Sequence, residues 1–352
     1  MIKTSLFRKL FAPSIFALCV LFCATAQAGD ETNPTFSAAP KDERGRFINT
    51  DNNLSRGSKA VQLSFFMRRF ATVFRTGSGA PNLMPNDGVL LQDSSTPKIT
   101  WIGHATLLVQ MDGINFLTDP IWSKTPSPVP FLGPSRWVAP GVELEDLPAI
   151  DFVVISHNHY DHLDLPTLRK LAQLNESTVF FVPLGNAALL QKNGIQQIRE
   201  MDWGDRVAFK ETTIYCLPTQ HWSKRSLTDT QKSLWSSWAV IGPERRFYFA
   251  GDTGYFDGFK EIGDKLGPFD LAAVPVGAYE PSAMMKASHL NPEEAVQAAL
   301  DVQASTAVAM HFGTFDLSDE PIDEPPLRFR AAIEGTGAID GWVLDIGETR
   351  GF

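Results

Sequence analysis

The chain has 352 residues, with 31 lysines and arginines against 40 aspartates and glutamates, a formal net charge of −9 and 3 cysteines. It has no long basic run, which argues against a nucleic-acid backbone as partner. Cys19 and Cys23 fall in an apolar N-terminal segment, so Cys216 stands alone in the rest and no disulfide framework can form.

In residues 1–28, Lys3, Arg8 and Lys9 come first, followed by an apolar run and Ala-Gln-Ala before Gly29. That is the layout of a secretory signal with a small-residue cleavage site. The run is short for a membrane span and contains Pro13. Phe22 directly before Cys23 speaks against lipoprotein processing. The mature chain is expected to start at Gly29 and to work in the periplasm or cell envelope. Loss of three basic and no acidic residues would take its charge from −9 to −12. What remains suffices for one large α/β domain or two small ones.

Residues 29–57 are polar and turn-rich and read as an irregular arm. From 58 to 76, Leu63, Phe66, Phe70, Val73 and Phe74 recur at helical spacing among Lys59, Arg68, Arg69 and Arg75. This basic amphipathic helix can pack on its own domain or lie on a membrane surface. We take 29–97 as an N-terminal arm and 98–352 as one domain. Its short β-rich runs begin with "ITWIG", "ATLLVQM" and "INFLT", the last two flanking the hairpin signal Asp112-Gly113. "DFVVI", "TVFFVP", "SSWAVI", "RFYFA", "LAAVPV" and "TAVAM" follow. Helices are expected over 165–174, 185–193 and 292–303. Strands that both alternate with helices and form hairpins predict an α/β fold of two mixed sheets flanked by helices, an αββα sandwich, rather than one doubly wound sheet.

The chemistry is concentrated after "DFVVI". His157, His159, Asp161 and His162 form H-x-H-x-D-H, although the whole chain has only 7 histidines. Buried together, these imidazoles would repel one another when protonated and lose solvation, unless a divalent cation compensates. His221 follows "TIYCLPTQ", Asp252 follows "RFYFAG" and His311 follows "TAVAM". Each stands just after a β-run, where loops at one sheet edge can aim side chains into a shared cleft.

This order of groups resembles the metallo-β-lactamase fold superfamily. More closely, it is similar to the family of N-acylphosphatidylethanolamine-hydrolysing phospholipase D. The resemblance is carried by "WIGHAT", "FLTDPIWS", "SHNHYDHLD", "LWSSW", "FAGDTGYF", "SHLNPEEAV", "HFGT" and "EPP", in order over roughly residues 98–328. It implies two zinc ions, one held by His157, His159 and His221, the other by Asp161, His162 and His311, with Asp252 between them. Ligation without thiolate would also accept iron or manganese. Asp119 would orient a ligand histidine, His289 would stand near the substrate phosphate, and Tyr160 would line the cleft mouth. Asp161, Asp252, His289 and Asp119 are thus the residues expected to take part in catalysis. His104 is expected to be structural. The implied reaction cleaves a phosphodiester on the head-group side of a phospholipid, using a metal-bridging hydroxide. The aromatic-rich stretch 63–74, with Phe131, Leu132 and Trp137, is a candidate for an acyl groove. A lactone- or ester-cleaving enzyme on the same ligands stays open, as does a non-catalytic envelope protein stabilised by metal.

Overall fold

The computed structural model describes residues 34–51, 57–72, 79–129 and 133–352. Residues 1–28, Val73, Phe74, Arg75, Phe131 and Leu132 lie outside the described residues, and with them the expected signal segment and part of the expected acyl groove.

Strand burial explains the architecture. In β2 (Thr106–Met111), Leu107, Val109 and Met111 point into one apolar cluster and Leu108 into another, so both faces are covered. β1 (Lys98–Gly103), β2 and β3 (Ile114–Thr118) form an antiparallel meander. Asp112 and Gly113 join β2 to β3 with φ of 49° and 71°, the left-handed pair that a two-residue hairpin turn needs. β3, β4 (Phe152–Val154), β5 (Val179–Pro183) and β6 (Ile198–Met201) continue in parallel, while β14 (Thr349–Gly351) closes the other side against β1. The second sheet contains β7 (Arg206–Phe209), β8 (Thr212–Leu217), β9 (Ser237–Ile241), β10 (Arg246–Phe249), β11 (Phe269–Pro275), β12 (Ala304–Met310) and β13 (Asp340–Trp342). Its neighbours run in the order β13-β12-β11-β10-β9-β8-β7, antiparallel from β7 to β10 and parallel from β10 to β13.

Between the sheets Phe116 stacks on Phe152 at 4.7 Å and meets Phe247 of the opposite sheet edge-on at 5.6 Å. All three rings are fully buried, each contributing on the order of 2 kcal/mol of apolar burial. On the outer face of the first sheet, Leu168 and Leu171 of α2 (Leu165–Leu174) and Leu190 of α3 (Ala187–Lys192) cover Leu108, Leu117 and Val153. On the second sheet, α4 (Gly258–Leu266), α6 (Pro292–Asp301) and α7 (Glu324–Thr336) supply Phe259, Ile262, Val296 and Phe329. The expected pair of mixed sheets flanked by helices is therefore the fold. The helices over 258–266, 282–285 and 324–336, and the short strands β6, β7, β13 and β14, were not foreseen.

Residues Thr35–Phe352 cluster as one unit. Residues 34–51 of the arm are irregular apart from one bridge between Lys41 and Phe47, yet Phe47 is buried in the main core. α1 (Lys59–Thr72) turns Phe65 inward and leaves Leu63, Phe66, Met67 and Phe70 exposed. Its Arg68 and Arg69 pair with Asp319 and Asp316. The helix is thus docked through its arginines, and its apolar face points outward.

Topology sets where the site lies. β1, β3 and β4 run one way within the first sheet, as do β8, β10, β11 and β12 within the second. Their carboxyl ends therefore share an edge of each sheet. His104, Asp119, the 157–162 loop, His221, Asp252 and His311 all leave from those ends.

Candidate metal centre

All seven histidines of the chain meet at this edge. Ring-to-ring contacts join His157 to His159, His162 and His221, His311 to His104, His162 and His289, and His289 to His221. Most are buried. His159, Tyr160, Asp161 and His289 are partly exposed and mark the open side.

Two groups of donor atoms emerge. In the first, His159 Nδ1 lies 2.7 Å from His157 Nε2 and 3.3 Å from His221 Nε2. In the second, Asp161 Oδ2 lies 3.3 Å from His162 Nε2 and 3.6 Å from His311 Nε2. Asp252 reaches both: Oδ2 is 3.2 Å from His162 Nε2 and 3.9 Å from His221 Nε2, and Oδ1 is 3.1 Å from His311 Nε2. The structure thus brings together all seven residues expected as ligands.

These residues fit divalent cations. His162 Nε2, His311 Nε2 and Asp252 Oδ1, all facing the second group, are buried without a hydrogen-bond partner, which is costly unless something fills the role. A tetrahedral shell with bonds of about 2.05 Å has edges of roughly 3.3 Å. Most of the separations above are close to that, with His157–His159 tighter. His157, His159 and His221 form one group able to hold a metal ion, and Asp161, His162 and His311 belong to a second.

The surroundings fix the rings. His157 Nδ1 faces Ser156 Oγ at 2.8 Å, and His221 Nδ1 faces the Ser288 carbonyl at 2.8 Å. Asp119 Oδ2 lies 2.7 Å from His162 Nδ1, and Asp119 also accepts from the Ser156 backbone N–H and hydroxyl. That is the contact an orienting carboxylate makes. His289 Nδ1 sits 3.8 Å from Asp252 Oδ2. Tyr160 donates its hydroxyl to the Arg225 carbonyl, and its ring lies 4.0 Å from the Arg225 guanidinium. Gly251 adopts φ +61° beside Ser156, where a Cβ would come within 2.6 Å of the serine Cβ.

Charge divides the centre. Burial and neighbouring imidazoles hold His157 well below the ordinary imidazole range. Burial does the same to His221, and takes His159 down to about 4 despite the nearby carboxylates. His162 and His311 go the other way. Burial opposes their protonation, but Asp252 and Asp161 outweigh it, lifting His162 well above the ordinary range and His311 to about 9. The same imidazoles keep Asp161 and Asp252 ionised against the cost of burial. A carboxylate pair that draws protons onto two histidines is a place where positive charge is stabilised.

Several participants escaped sequence reading. His104 directly follows "ITWIG", so the rule that picked out His221, Asp252 and His311 also pointed to it; its Nε2 lies 3.0 Å from Asp161 Oδ2. Trp222 packs its ring against His159 at 4.5 Å. Arg225 Nη1 donates to the carbonyls of Asn158 and Leu163, bracing the ligand loop. Asn49, from the arm, accepts from the His221 backbone N–H and donates to its carbonyl. Nothing in the sequence marks these last three.

Known proteins agree with this geometry. The family described as the beta-lactamase superfamily domain matches residues 114–312. N-acyl-phosphatidylethanolamine-hydrolyzing phospholipase D 1 of Caenorhabditis elegans is 48% identical over 228 residues, 62% of this chain and 64% of the nematode protein. The mitochondrial N-acyl-phosphatidylethanolamine-hydrolyzing phospholipase D of Saccharomyces cerevisiae is 34% identical over 266 residues, 72% of this chain and 55% of its own. The chain therefore spans somewhat less than two thirds of either relative. Igni18, a metallo hydrolase from Ignicoccus hospitalis, shares the fold with a TM-score of 0.57 at 23% identity, covering 73% of this chain and 99% of its own. With its two mixed sheets, its clustered histidines and aspartates at one edge, and this similarity over most of its length, the chain belongs to the metallo-β-lactamase superfamily of metal-dependent hydrolases.

Proposed function

We propose that this chain is a binuclear metal hydrolase of phosphodiesters that cleaves N-acylphosphatidylethanolamine or a related glycerophospholipid on the head-group side. The observation that carries the reading is the pair of donor groups joined through Asp252. His157, His159 and His221 would hold one ion, and Asp161, His162 and His311 the other. Zinc suits ligation by imidazole and carboxylate alone, and Cys216 is buried away with its thiol facing the Met201 carbonyl. Bound there, such cations lower the pKa of a coordinated water to roughly 7 and polarise a phosphoryl oxygen.

The protein's own groups do the positioning. Asp119 holds the His162 ring, and Ser156 and the Ser288 carbonyl hold those of His157 and His221. His289 is largely buried, with its side chain 11% exposed at the open side. Burial takes it down to about 4 despite the nearby Asp252, so at neutral pH it is an uncharged imidazole. It therefore offers one N–H to a phosphate oxygen, rather than a proton to the leaving alkoxide. The mouth is rimmed by Tyr160, whose ring is steadied by Arg225, and by Trp222.

A lipid surface suits the outward face of α1. Gly57, at the start of the helix, lies against Ala283 of α5 (Ser282–Met285), and α5 leads into His289. Arg68 and Arg69 pair with the segment that follows His311. Leu63, Phe66, Met67 and Phe70 thus form an exposed apolar face on the segments flanking the site. The layout of residues 1–28 supports a mature chain that works outside the cytoplasm, a reading that N-terminal sequencing starting at Gly29 would bear on directly.

The deciding experiment combines elemental analysis of the purified chain with turnover of N-acylphosphatidylethanolamine, bis(p-nitrophenyl) phosphate and a lactone panel. Two ions per chain with phosphodiester turnover are expected. Lactone turnover without any phosphodiester turnover overturns the substrate assignment. For the surface, Phe66→Ser with Phe70→Ser is expected to reduce liposome flotation, and unchanged flotation rejects the contact.

A further inference from the structure

Besides the seven expected ligands and Asp119 and His289, a further buried titratable side chain, His104, touches the centre from the end of β1. His104 ends β1 with φ +54°, a left-handed conformation that costs a non-glycine residue on the order of 1 kcal/mol or more. Its backbone is held there from several directions. The His104 N–H donates to Thr314 Oγ1 at 2.6 Å, and its carbonyl accepts from Trp101 Nε1 at 2.9 Å and from the His311 backbone N–H at 3.0 Å. The ring lies 4.1 Å from that of His311, tilted by 40°, and Nε2 lies 3.0 Å from Asp161 Oδ2. His104 therefore touches two loops at once, one bearing Asp161 and the other His311.

Which proton the ring carries follows from its surroundings. Nδ1 is buried and has no partner. A buried N–H without an acceptor is rarer and costlier than an acceptor without a donor. The neutral ring therefore keeps its proton on Nε2, where Asp161 Oδ2 accepts it. By distance His104 belongs with Asp161, His162 and His311 to one group able to hold an ion, but a protonated Nε2 has no lone pair to give a cation, so it is the tautomer that keeps His104 from being a ligand.

We propose that His104 is a positioning residue: its Nε2–H anchors the Asp161 carboxylate while its carbonyl anchors the His311 backbone, setting the spacing of the half-site formed by Asp161, His162 and His311. This rests on the binuclear reading above. Groups that orient metal ligands in this way typically contribute about ten- to a hundredfold in affinity. Glutamine can place an amide N–H near the Nε2 position; leucine fills similar space without a donor.

The test uses the full mature chain, zinc and a competing chelator, with ions per chain and apparent affinity read for wild type, H104Q and H104L, and the melting temperature of each metal-free form. H104L is expected to bind two zinc ions at saturation, with the weaker-held ion lost at about ten- to a hundredfold lower chelator activity. H104Q should recover most of that difference while melting no higher than H104L. Unchanged affinity in H104L overturns the proposal. So does a saturated stoichiometry of one ion, which would make His104 a ligand, and so does failure of H104Q to recover affinity, which would leave only a packing role. If H104L does not fold, H104Q decides alone: two ions at near wild-type affinity support the role, and weakened affinity rejects it. Wild type binding fewer than two ions would instead refute the binuclear reading itself.

Discussion

The two halves of the centre are built from similar residues but differ in charge. His157, His159 and His221 face one another as neutral imidazoles, pushed down by burial and mutual repulsion. His162 and His311 sit between Asp161, Asp252 and Asp119 and hold protons. The first half is a set of lone pairs ready for a cation. The second is already neutralised by protons that a cation must displace. A histidine's neighbours, more than its own burial, decide which kind of half it builds.

The most severe way to break the comparison is to remove the residue common to both halves. Asp252→Ala should cost at least about a thousandfold in kcat and reduce bound metal in both halves, as elemental analysis would read. Unimpaired turnover would show that the halves do not act as one unit. Asp161→Asn is more selective. It should lower bound metal from two ions to one and kcat by about a hundredfold or more, with the His157 half still loaded. Equal loss from both halves would erase the distinction.

Acidity sharpens it. With His311 at about 9 and His162 also raised, both are protonated at pH 7 in the metal-free chain. Affinity in their half should therefore rise with pH until both have lost their protons, by up to about tenfold per unit for each proton displaced, with the His311 share of that rise ending at about 9. The His157 half should change little between neutrality and about pH 5, because His159 is neutral down to about 4. Calorimetric titration in buffers of different ionisation enthalpy should show proton release for one ion and little for the other. The signs for metal-free stability follow. His311 stabilises fully below about pH 6.5 and loses that contribution as pH climbs through about 9, with His162 acting in the same direction. His159 stabilises fully above about 6.5 and loses that contribution as pH falls through about 4, with His157 and His221 acting in the same direction. The melting temperature of the metal-free chain should accordingly be highest between those limits.

Smaller effects probe the supports. Gly251→Ala forces a Cβ to within 2.6 Å of the Ser156 Cβ from a left-handed backbone, costing about 1–3 kcal/mol and lowering the melting temperature. Since Ser156 and Asp252 adjoin these positions, metal affinity should fall in both halves together. Arg225→Ala removes two hydrogen bonds to the ligand loop and the cation–π contact with Tyr160. The expected loss is about 1–2 kcal/mol of stability, read by denaturant unfolding, with a modest rise in KM as the Tyr160 rim loosens.

Much of this was legible where the signal was local. The Asp112-Gly113 turn, the alternating β-runs, the helix after Asn291-Pro292 with its Asn291–Glu294 capping box, and the H-x-H-x-D-H loop each declare themselves within a few residues. β14 does not: three residues acquire meaning only by pairing with Lys98–Thr100. His104 carries the same signal as the other strand-end groups, but it stands alone in the chain and reads equally well as structural. Arg225 and Asn49 carry none, since both act through backbone groups of distant loops.

The sequence alone determined which residues had the chemistry to bind metal and which of the longer apolar segments would be strands, because side-chain identity and alternation act over short range. Only the tertiary structure decided that seven histidines from five loops meet, and that two of them fall among carboxylates while three do not. Strand direction and sheet-on-sheet packing bring those loops to one edge, and electrostatic interactions decay over a few ångströms of space whatever the separation along the chain.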